Sequence, residues 1–266
     1  MMQFALPVLF TLFIWWFSTG VILYLDGLPR RTFKWTMLAF TVVLGLALAG
    51  LSASSAVATE AGAYCAFTCG VLVWAWQEVA FLLGFVTGPR RSACPPGAAG
   101  WRRARYAFQA VLHHELALVV LGAAVLWATW GGVNQTGLWT YLILWTMRQS
   151  AKLNVFLGVR NLNEGFLPEH LKYLQSYFTR RPVNALFPVS VTVSTLIAVA
   201  LWQAALASGA SRFDTASLSL GAGLLSLAVL EHWFLVLPLP FEALWNWGLR
   251  SRAVVPHEAL GPKPLS

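Results

Sequence analysis

Ionisable side chains interrupt four otherwise apolar stretches of this chain. Glu78 lies in the first of these stretches, and His113, His114 and Glu115 lie in the second. The third contains Arg148 and Lys152, and the fourth contains Glu231 and His232. A charged side chain inside a membrane costs at least about 2.5–3.5 kcal/mol on insertion scales, so each of these residues needs a partner or a function.

Several kinds of chemistry suit these residue types. Three carboxylates (Glu78, Glu115 and Glu231) against two cations (Arg148 and Lys152) suit a buried ion-pair network. Histidines and carboxylates also suit a metal site, although carboxylate-bridged di-metal bundles use Glu-x-x-His, whereas here the two residue types are adjacent. A neutral histidine can ligate the central metal of a tetrapyrrole. Proton or substrate transport is a further alternative, but the repeats and broken helices typical of transporters are not evident.

Helical geometry limits which of these side chains can meet. His113 and Glu115 diverge by about 200° around a helix, so only His114 with one neighbour can face a common centre. Arg148 and Lys152 are four residues apart and share a helix face. We therefore predict one polar cluster or cleft within the membrane, formed by Glu78, His114, Arg148, Lys152, Glu231 and His232, for which an ion-pair network, a metal site, a pigment site and a transport path all stay open.

The composition of the chain predicts a membrane protein. Of 266 residues, 58% are hydrophobic and 11% are charged, and the mean hydropathy is +0.65. A soluble domain has about 25% charged residues, so a disordered chain, a disulfide scaffold and an ordinary cytosolic enzyme are all excluded. The sequence contains no catalytic motif that we recognise, and whether it binds a metal stays open. The net charge of +8 indicates basic cytoplasmic loops rather than binding to nucleic acid.

Seven apolar segments are long enough to cross a membrane, which predicts an all-α, polytopic bundle of about seven transmembrane helices. Basic residues alternate strictly between successive loops, so we expect the N-terminus outside and the C-terminus in the cytoplasm. The polar residues described above then lie at one level in the inner leaflet. The predicted segments are Phe4–Leu25, Trp35–Ala53, Ala61–Val86, Ala107–Trp130, Gly137–Leu157, Val183–Ala207 and Ala216–Leu237.

These segments predict a transmembrane domain over residues 1–240, including a cytoplasmic loop at 88–106, and a cytoplasmic interfacial tail over 241–266. Between the fifth and sixth segments, apolar residues recur with the spacing of an amphipathic helix over residues 167–178. We expect this helix to lie on the cytoplasmic membrane surface and, with the basic loops, to dock on anionic lipid or a partner. Its docking residues would be Leu167, Leu171, Leu174 and Phe178.

Four stretches of the chain resemble the PuhE family of photosynthetic-complex assembly proteins. They are ILYLDGLPRRTF (22–33), QEVAFLLGFVTGPRR (77–91), HHEL (113–116) and RQSAKLNVFLGVRNLNEGFLPEHLKYLQSYF (148–178). The last stretch is long and unusual, and the likeness extends over most of the chain, weakening at both ends. The resemblance implies a purple bacterium, a multi-pass protein of its cytoplasmic or intracytoplasmic membrane, and a gene near that for the reaction-centre H subunit.

The resemblance further implies an accessory factor for assembly of the photosynthetic reaction centre and its core antenna. Such a factor handles or modulates bacteriochlorophyll, so bacteriochlorophyll or a precursor is the candidate cofactor and the complex subunits are the expected partners, along with lipid. The family supplies no catalytic motif, and no residue gains a role from it. Two alternatives stay open: a metal-dependent membrane oxidoreductase of bacteriochlorophyll or carotenoid synthesis, and a transporter or proton relay.

Overall fold

The computed structural model describes residues 2–162 and 164–253, and its regular elements are helices. A single isolated β-bridge, between Val159 and Arg180, is recorded among these residues. Each of the seven predicted apolar segments forms a helix, and an eighth, shorter helix follows. The helices are α1 (Met2–Asp26), α2 (Phe33–Ser55), α3 (Glu60–Leu82), α4 (Gly100–Ala128), α5 (Thr136–Leu157), α6 (Leu186–Ala205), α7 (Arg212–Phe234) and α8 (Asn246–Ala253).

Within the described residues, six helices are long and apolar enough to cross a membrane, namely α1 to α4, α6 and α7. The fold is therefore all-α with several candidate membrane spans, as the sequence predicts. Helix α5 is not among the six. Arg148, Gln149, Lys152 and Asn154 lie in its second half and lower its mean hydropathy. The seventh span and the orientation of the chain stay predictions.

Helix α3 lies at the centre of the bundle and packs against α1, α2, α4, α5 and α7. Its small residues permit this close packing. A Cβ atom added at Gly70 would lie 2.8 Å from the backbone oxygen of Gly137 in α5. The buried side chains of α3 point in several directions, and Phe67 and Val73 are completely inaccessible. A helix that is apolar on all sides is expected in the interior of a bundle.

The loop between α3 and α4 folds back on α4. Helix α3 ends at Leu82, four residues before the predicted end of the span, and Gly84 follows with a φ of +82° that favours glycine. The backbone N–H of His114 donates to Thr87 O at 2.9 Å. A Cβ at Gly88 would lie 2.2 Å from Gln109 O, so only glycine permits this approach. Helix α4 starts at Gly100, seven residues before the predicted start.

The chain after α7 returns along α1. Trp16 Nε1 donates to Leu244 O, and Trp245 Nε1 donates to Trp16 O, both at 2.9 Å. Helix α8 then lies against Gly20, where a Cβ would be 2.0 Å from the Trp247 ring. Residues 241–253 therefore pack on the first helix, and their predicted position at the cytoplasmic membrane interface stays a prediction. The remaining residues of that predicted tail, 254–266, lie outside the described part of the chain.

The segment predicted as an amphipathic surface helix is a 3-10 helix over Glu169–Tyr177. Its apolar side is covered by the protein itself, because Leu171 and Leu174 pack with Phe81, Leu82 and Ala110 of α3 and α4. Leu171 and Leu174 are 2% and 6% exposed, and Leu167 and Phe178 are partly buried against the same cluster. Leu171 and Leu174 therefore hold the loop on the bundle, whereas Leu167 and Phe178 remain partly exposed, and docking of this segment on lipid or a partner stays a prediction.

Candidate functional site

An ion pair links the centre of α5 to α3. Arg148 Nη2 donates to Glu78 Oε2 at 3.2 Å, and Gln77 Nε2 donates to the other carboxylate oxygen at 3.1 Å. The Glu78 side chain is 12% exposed, whereas that of Arg148 is 44% exposed. Arg148 lies nine residues before the end of α5, about 14 Å along the helix. The positively charged side chain of Arg148 is therefore partly exposed at a position well inside the helix, far from its end.

A second ion pair links α5 to α4 one turn farther along. Lys152 Nζ and Gln149 Nε2 donate to the two carboxylate oxygens of Glu115, each at 2.5 Å. The side chains of Lys152 and Glu115 are 28% and 18% exposed. The sequence prediction of the cleft includes Lys152 but not Glu115 or Gln149, although Glu115 is one of the three carboxylates expected for an ion-pair network and Gln149, three residues before Lys152, shares its helix face.

Glu231 of α7 lies beside the first pair. Trp15 Nε1 of α1 donates to Glu231 Oε1 at 2.6 Å. Arg148 and Glu78 are near enough for their charges to act on Glu231. Glu231 is itself exposed beside Trp15, so the cluster can be reached from outside the bundle on this side. Trp15 in turn contacts Trp245 edge-on, with ring centroids 5.1 Å apart, so the C-terminal segment lies close to this exposed side of the cluster.

The two predicted histidines differ in their surroundings. His232 is 2% exposed, and both of its ring nitrogens have partners. Nδ1 donates to Ala228 O at 2.9 Å, so in the neutral ring Nε2 accepts from Ser150 Oγ, also at 2.9 Å. His232 thus joins α7 to α5, and its described hydrogen bonds do not involve the carboxylates of the cluster.

His114 is 2% exposed, and its Nδ1 has no hydrogen-bond partner among the described residues. Its ring lies against Phe81, with centroids 4.5 Å apart. The charges of Lys152 and Arg148 lie close enough to act on this ring. A buried, unpartnered imidazole nitrogen is unusual, because nearly all buried polar atoms in proteins are hydrogen-bonded. Of the two histidines, His114 is therefore the one with a buried ring nitrogen that lacks a described hydrogen-bond partner.

The described residues do not include a group of three or more histidine, cysteine, aspartate or glutamate side chains that could hold a metal ion. The structure thus brings Glu78, Arg148 and Glu231 together, with Lys152 and His114 beside them. His232 lies apart, with Ser150. Trp15, Glu115, Gln149 and Ser150 are contact residues that the predicted cleft lining lacks, although Glu115 is among the carboxylates expected for an ion-pair network.

Arginine and histidine side chains fasten the predicted cytoplasmic loops to helix ends. Arg103 Nη2 donates to Phe156 O at 3.1 Å and to Thr179 Oγ1 at 2.6 Å, and it also donates to Tyr177 O. His170 Nε2 donates to Leu82 O, the last residue of α3, at 2.9 Å. These contacts satisfy carbonyl groups that a helix end leaves without partners. Some of the basic residues predicted to dock on lipid therefore serve the fold.

His170 makes the stability of this loop sensitive to acid. Burial lowers the pKa of His170 from its ordinary 6.5, and the charges of Arg30, Arg91 and Arg252 lower it further. Below pH 6.5, His170 takes up a proton more readily in the unfolded chain than in the folded chain. The free energy of unfolding therefore decreases as the pH is lowered. We expect His170→Gln, which keeps a donor for Leu82 O, to reduce this fall between pH 7.5 and 5.5. Identical pH dependence in thermal unfolding of the two proteins would contradict this assignment.

Comparison with known proteins places this architecture in a family. The family model described as a protein of unknown function, DUF3623, matches residues 1–255. The chain belongs to the DUF3623 family. A relative from Rhodobacter capsulatus is 41% identical over 254 residues, which cover 92% of this chain and 91% of the relative. That relative is described as an uncharacterised 30.4 kDa protein in the puhA 5′ region. No solved structure gives a significant match to this DUF3623 member.

Proposed function

We propose that this DUF3623 member is an accessory factor for assembly of the photosynthetic reaction centre and core antenna. The observation that carries the proposal is the R. capsulatus relative in the puhA 5′ region. The resemblance to the PuhE family points the same way, since it implies a gene near that for the reaction-centre H subunit. Reaction-centre or core-antenna subunits are accordingly the proposed partners.

The protein would act in the bacterial inner membrane, with seven spans, the N-terminus outside and the C-terminus in the cytoplasm. Six apolar helices and the alternation of basic loops support this topology. Helix α5 would be the seventh span. Its charged side chains are paired with α3 and α4, and it also packs against α6 and α7. A helix with charged residues can cross a membrane when those residues face other helices rather than lipid.

The exposed side of the polar cluster, at Arg148, Glu231 and Trp15, is the proposed working part of the protein. Exposed Arg148 would bind a carbonyl or carboxylate oxygen, and Trp15 would flank a planar ring or an apolar helix. If bacteriochlorophyll or a precursor were bound here, His114 would be the histidine to hold its central metal, because both nitrogens of His232 are engaged whereas Nδ1 of His114 has no described hydrogen-bond partner. A nascent transmembrane subunit is the other proposed occupant of the same site.

The charged cleft can be tested by neutralising one ion pair in a phototrophic host that lacks its own copy of the gene. Glu78→Gln with Arg148→Gln removes both charges but leaves side chains that can hydrogen-bond. We expect the yield of core complex, measured by near-infrared absorption per cell, to fall severalfold. The matched control is Glu169→Gln with Lys172→Gln, which neutralises an exposed pair on the 3-10 helix and should keep the wild-type yield.

Immunoblotting must show that the double variant accumulates in the membrane. If it does not, Arg148→Lys, which keeps the charge but loses the guanidinium geometry, replaces it and should lower the yield as well. An unchanged yield with normal accumulation would refute the cleft. Absorption spectra and metal analysis of the purified protein separate the alternatives. A pigment band near one per chain supports pigment handling, whereas iron without pigment would favour the oxidoreductase.

A further inference from the structure

The connection between α3 and α4 carries an uncompensated positive charge. From residue 79 to residue 114 the chain has no aspartate or glutamate and has five arginines. None of these arginines takes part in the salt bridges of the described residues. They are Arg90, Arg91, Arg102, Arg103 and Arg105. A cluster of this kind attracts an anion from outside the chain.

Part of this cluster lines a pocket of about 350 Å³ between the loop and α4. The pocket is bounded by Pro89, Arg90, Arg91, Ser92 and Gln109, so arginine, hydroxyl and amide donors surround it. The loop is fixed in place because Gly88 permits close contact with the backbone of α4 at Gln109. The pocket is a shallow depression on the surface, and the backbone on one side of it is held in place by the contact of Gly88 with α4.

The two arginines of the pocket are held differently. Arg90 Nε donates to Tyr177 Oη at 2.7 Å, and its guanidinium lies 4.5 Å from the Tyr106 ring centroid. Arg91 makes one longer hydrogen bond, from Nη2 to Gly84 O at 3.3 Å, and is exposed. One guanidinium is therefore preorganised by the fold, and the other is available to close on a ligand. Two arginines that line one pocket suit the oxygens of a phosphate group.

An apolar stripe on α4 starts beside the pocket. Phe108, next to Gln109, is 55% exposed, and Leu116, Val119 and Val120 continue on the same face at 53–66% exposure. Trp101 comes before the basic residues of α4 in the chain, whereas the apolar stripe comes after them. Trp101 is 83% exposed, which is typical of a tryptophan at a membrane interface. A phosphate bound at Arg91 would thus lie where the charged part of α4 meets its apolar part. This arrangement favours a phospholipid over a free anion.

We propose that this pocket, between residues 89–92 and α4, binds the phosphate of an anionic phospholipid headgroup. The acyl chains would lie along the stripe that begins at Phe108. This site is separate from the cleft at Arg148, so it stands whether or not that cleft handles pigment.

The test uses the full chain in detergent and native mass spectrometry with phosphatidylglycerol or phosphatidylcholine added. We expect the wild type to bind phosphatidylglycerol more tightly than phosphatidylcholine. Arg91→Gln should weaken phosphatidylglycerol binding about fivefold, the factor that corresponds to about 1 kcal/mol per basic residue at a membrane surface. Arg102→Gln is the matched control, because Arg102 is exposed in the same cluster but does not line the pocket.

Three results would overturn the proposal. Equal binding of both lipids by the wild type would show no preference for an anion. An equal loss in Arg91→Gln and Arg102→Gln would indicate diffuse attraction rather than a site. Displacement of phosphatidylglycerol by millimolar inorganic phosphate would indicate a free-anion site. Arg91→Lys, which keeps the charge, should retain more binding than Arg91→Gln and shows that a loss in the latter does not come from misfolding.

Discussion

Replacing Arg252 with methionine is expected to lower the free energy of unfolding by about 3–5 kcal/mol. Arg252 Nη2 donates to both oxygens of Asp26, at 2.7 and 2.9 Å, and Nε donates to Oδ1 at 3.0 Å. The Asp26 side chain at the end of α1 is 1% exposed. Without Arg252, a buried carboxylate would lose its counter-ion. Removing one partner of a buried pair costs far more than the intact pair contributes.

Arg252 also joins a third part of the chain. Its guanidinium donates to Gly165 O at 2.5 Å and to Phe166 O at 3.0 Å, so α1, α8 and the loop after α5 meet at one side chain. Arg252→Lys has a single ammonium group and should recover only part of the stability. The matched control is Arg250→Met on the same helix. Because Arg250 is exposed, this substitution should hardly change the free energy of unfolding.

Unfolding in mixed micelles, followed by circular dichroism, measures the difference between these variants. Equal stabilities of Arg252→Met and Arg250→Met would mean that the C-terminal segment contributes little to holding α1. Protease sensitivity of α8 gives a second readout. If the pair fastens the segment, Arg252→Met should be cleaved near residue 246 much faster than the control.

The helices could be predicted from the sequence because their signal is local. A run of about 20 apolar residues suffices to identify a spanning helix, and all seven runs are helical in the structure. Boundaries near Gly84 and Gly100 could not be predicted, because they depend on how the loop folds back on α4. The apolar periodicity of residues 167–178 marks a buried side but does not distinguish a lipid surface from a neighbouring helix.

The candidate site was predictable only in part. The level of the polar residues follows from counting along each helix, and the structure brings Glu78, Arg148 and Glu231 together. Which carboxylate meets which cation depends on how the helices are rotated and packed, and a single sequence does not record this. Trp15 is an example, since its bond to Glu231 joins residues 216 positions apart.

The second large effect is expected at Lys152, where the ion pair with Glu115 lies between α4 and α5. Lys152→Met leaves Glu115 with Gln149 as its remaining described partner. Both charged side chains are less than one-third exposed. Lys152→Met should therefore lower the free energy of unfolding by about 3 kcal/mol, the lower end of the range for removing one partner of a buried ion pair. Combining Lys152→Met with Glu115→Leu removes both charges, and apolar replacement of a buried pair is often neutral.

The double variant should therefore be more stable than Lys152→Met alone, although it carries one more substitution. Lys172→Met is the matched control, since the Lys172 and Glu169 side chains are 51% and 83% exposed and an exposed pair contributes at most about 1 kcal/mol. If the double variant instead lost as much stability as the sum of the two single variants, the pair would not be coupled. The charges would then not compensate one another, and the polar cluster could not be an ion-pair network that lets α5 lie within the membrane.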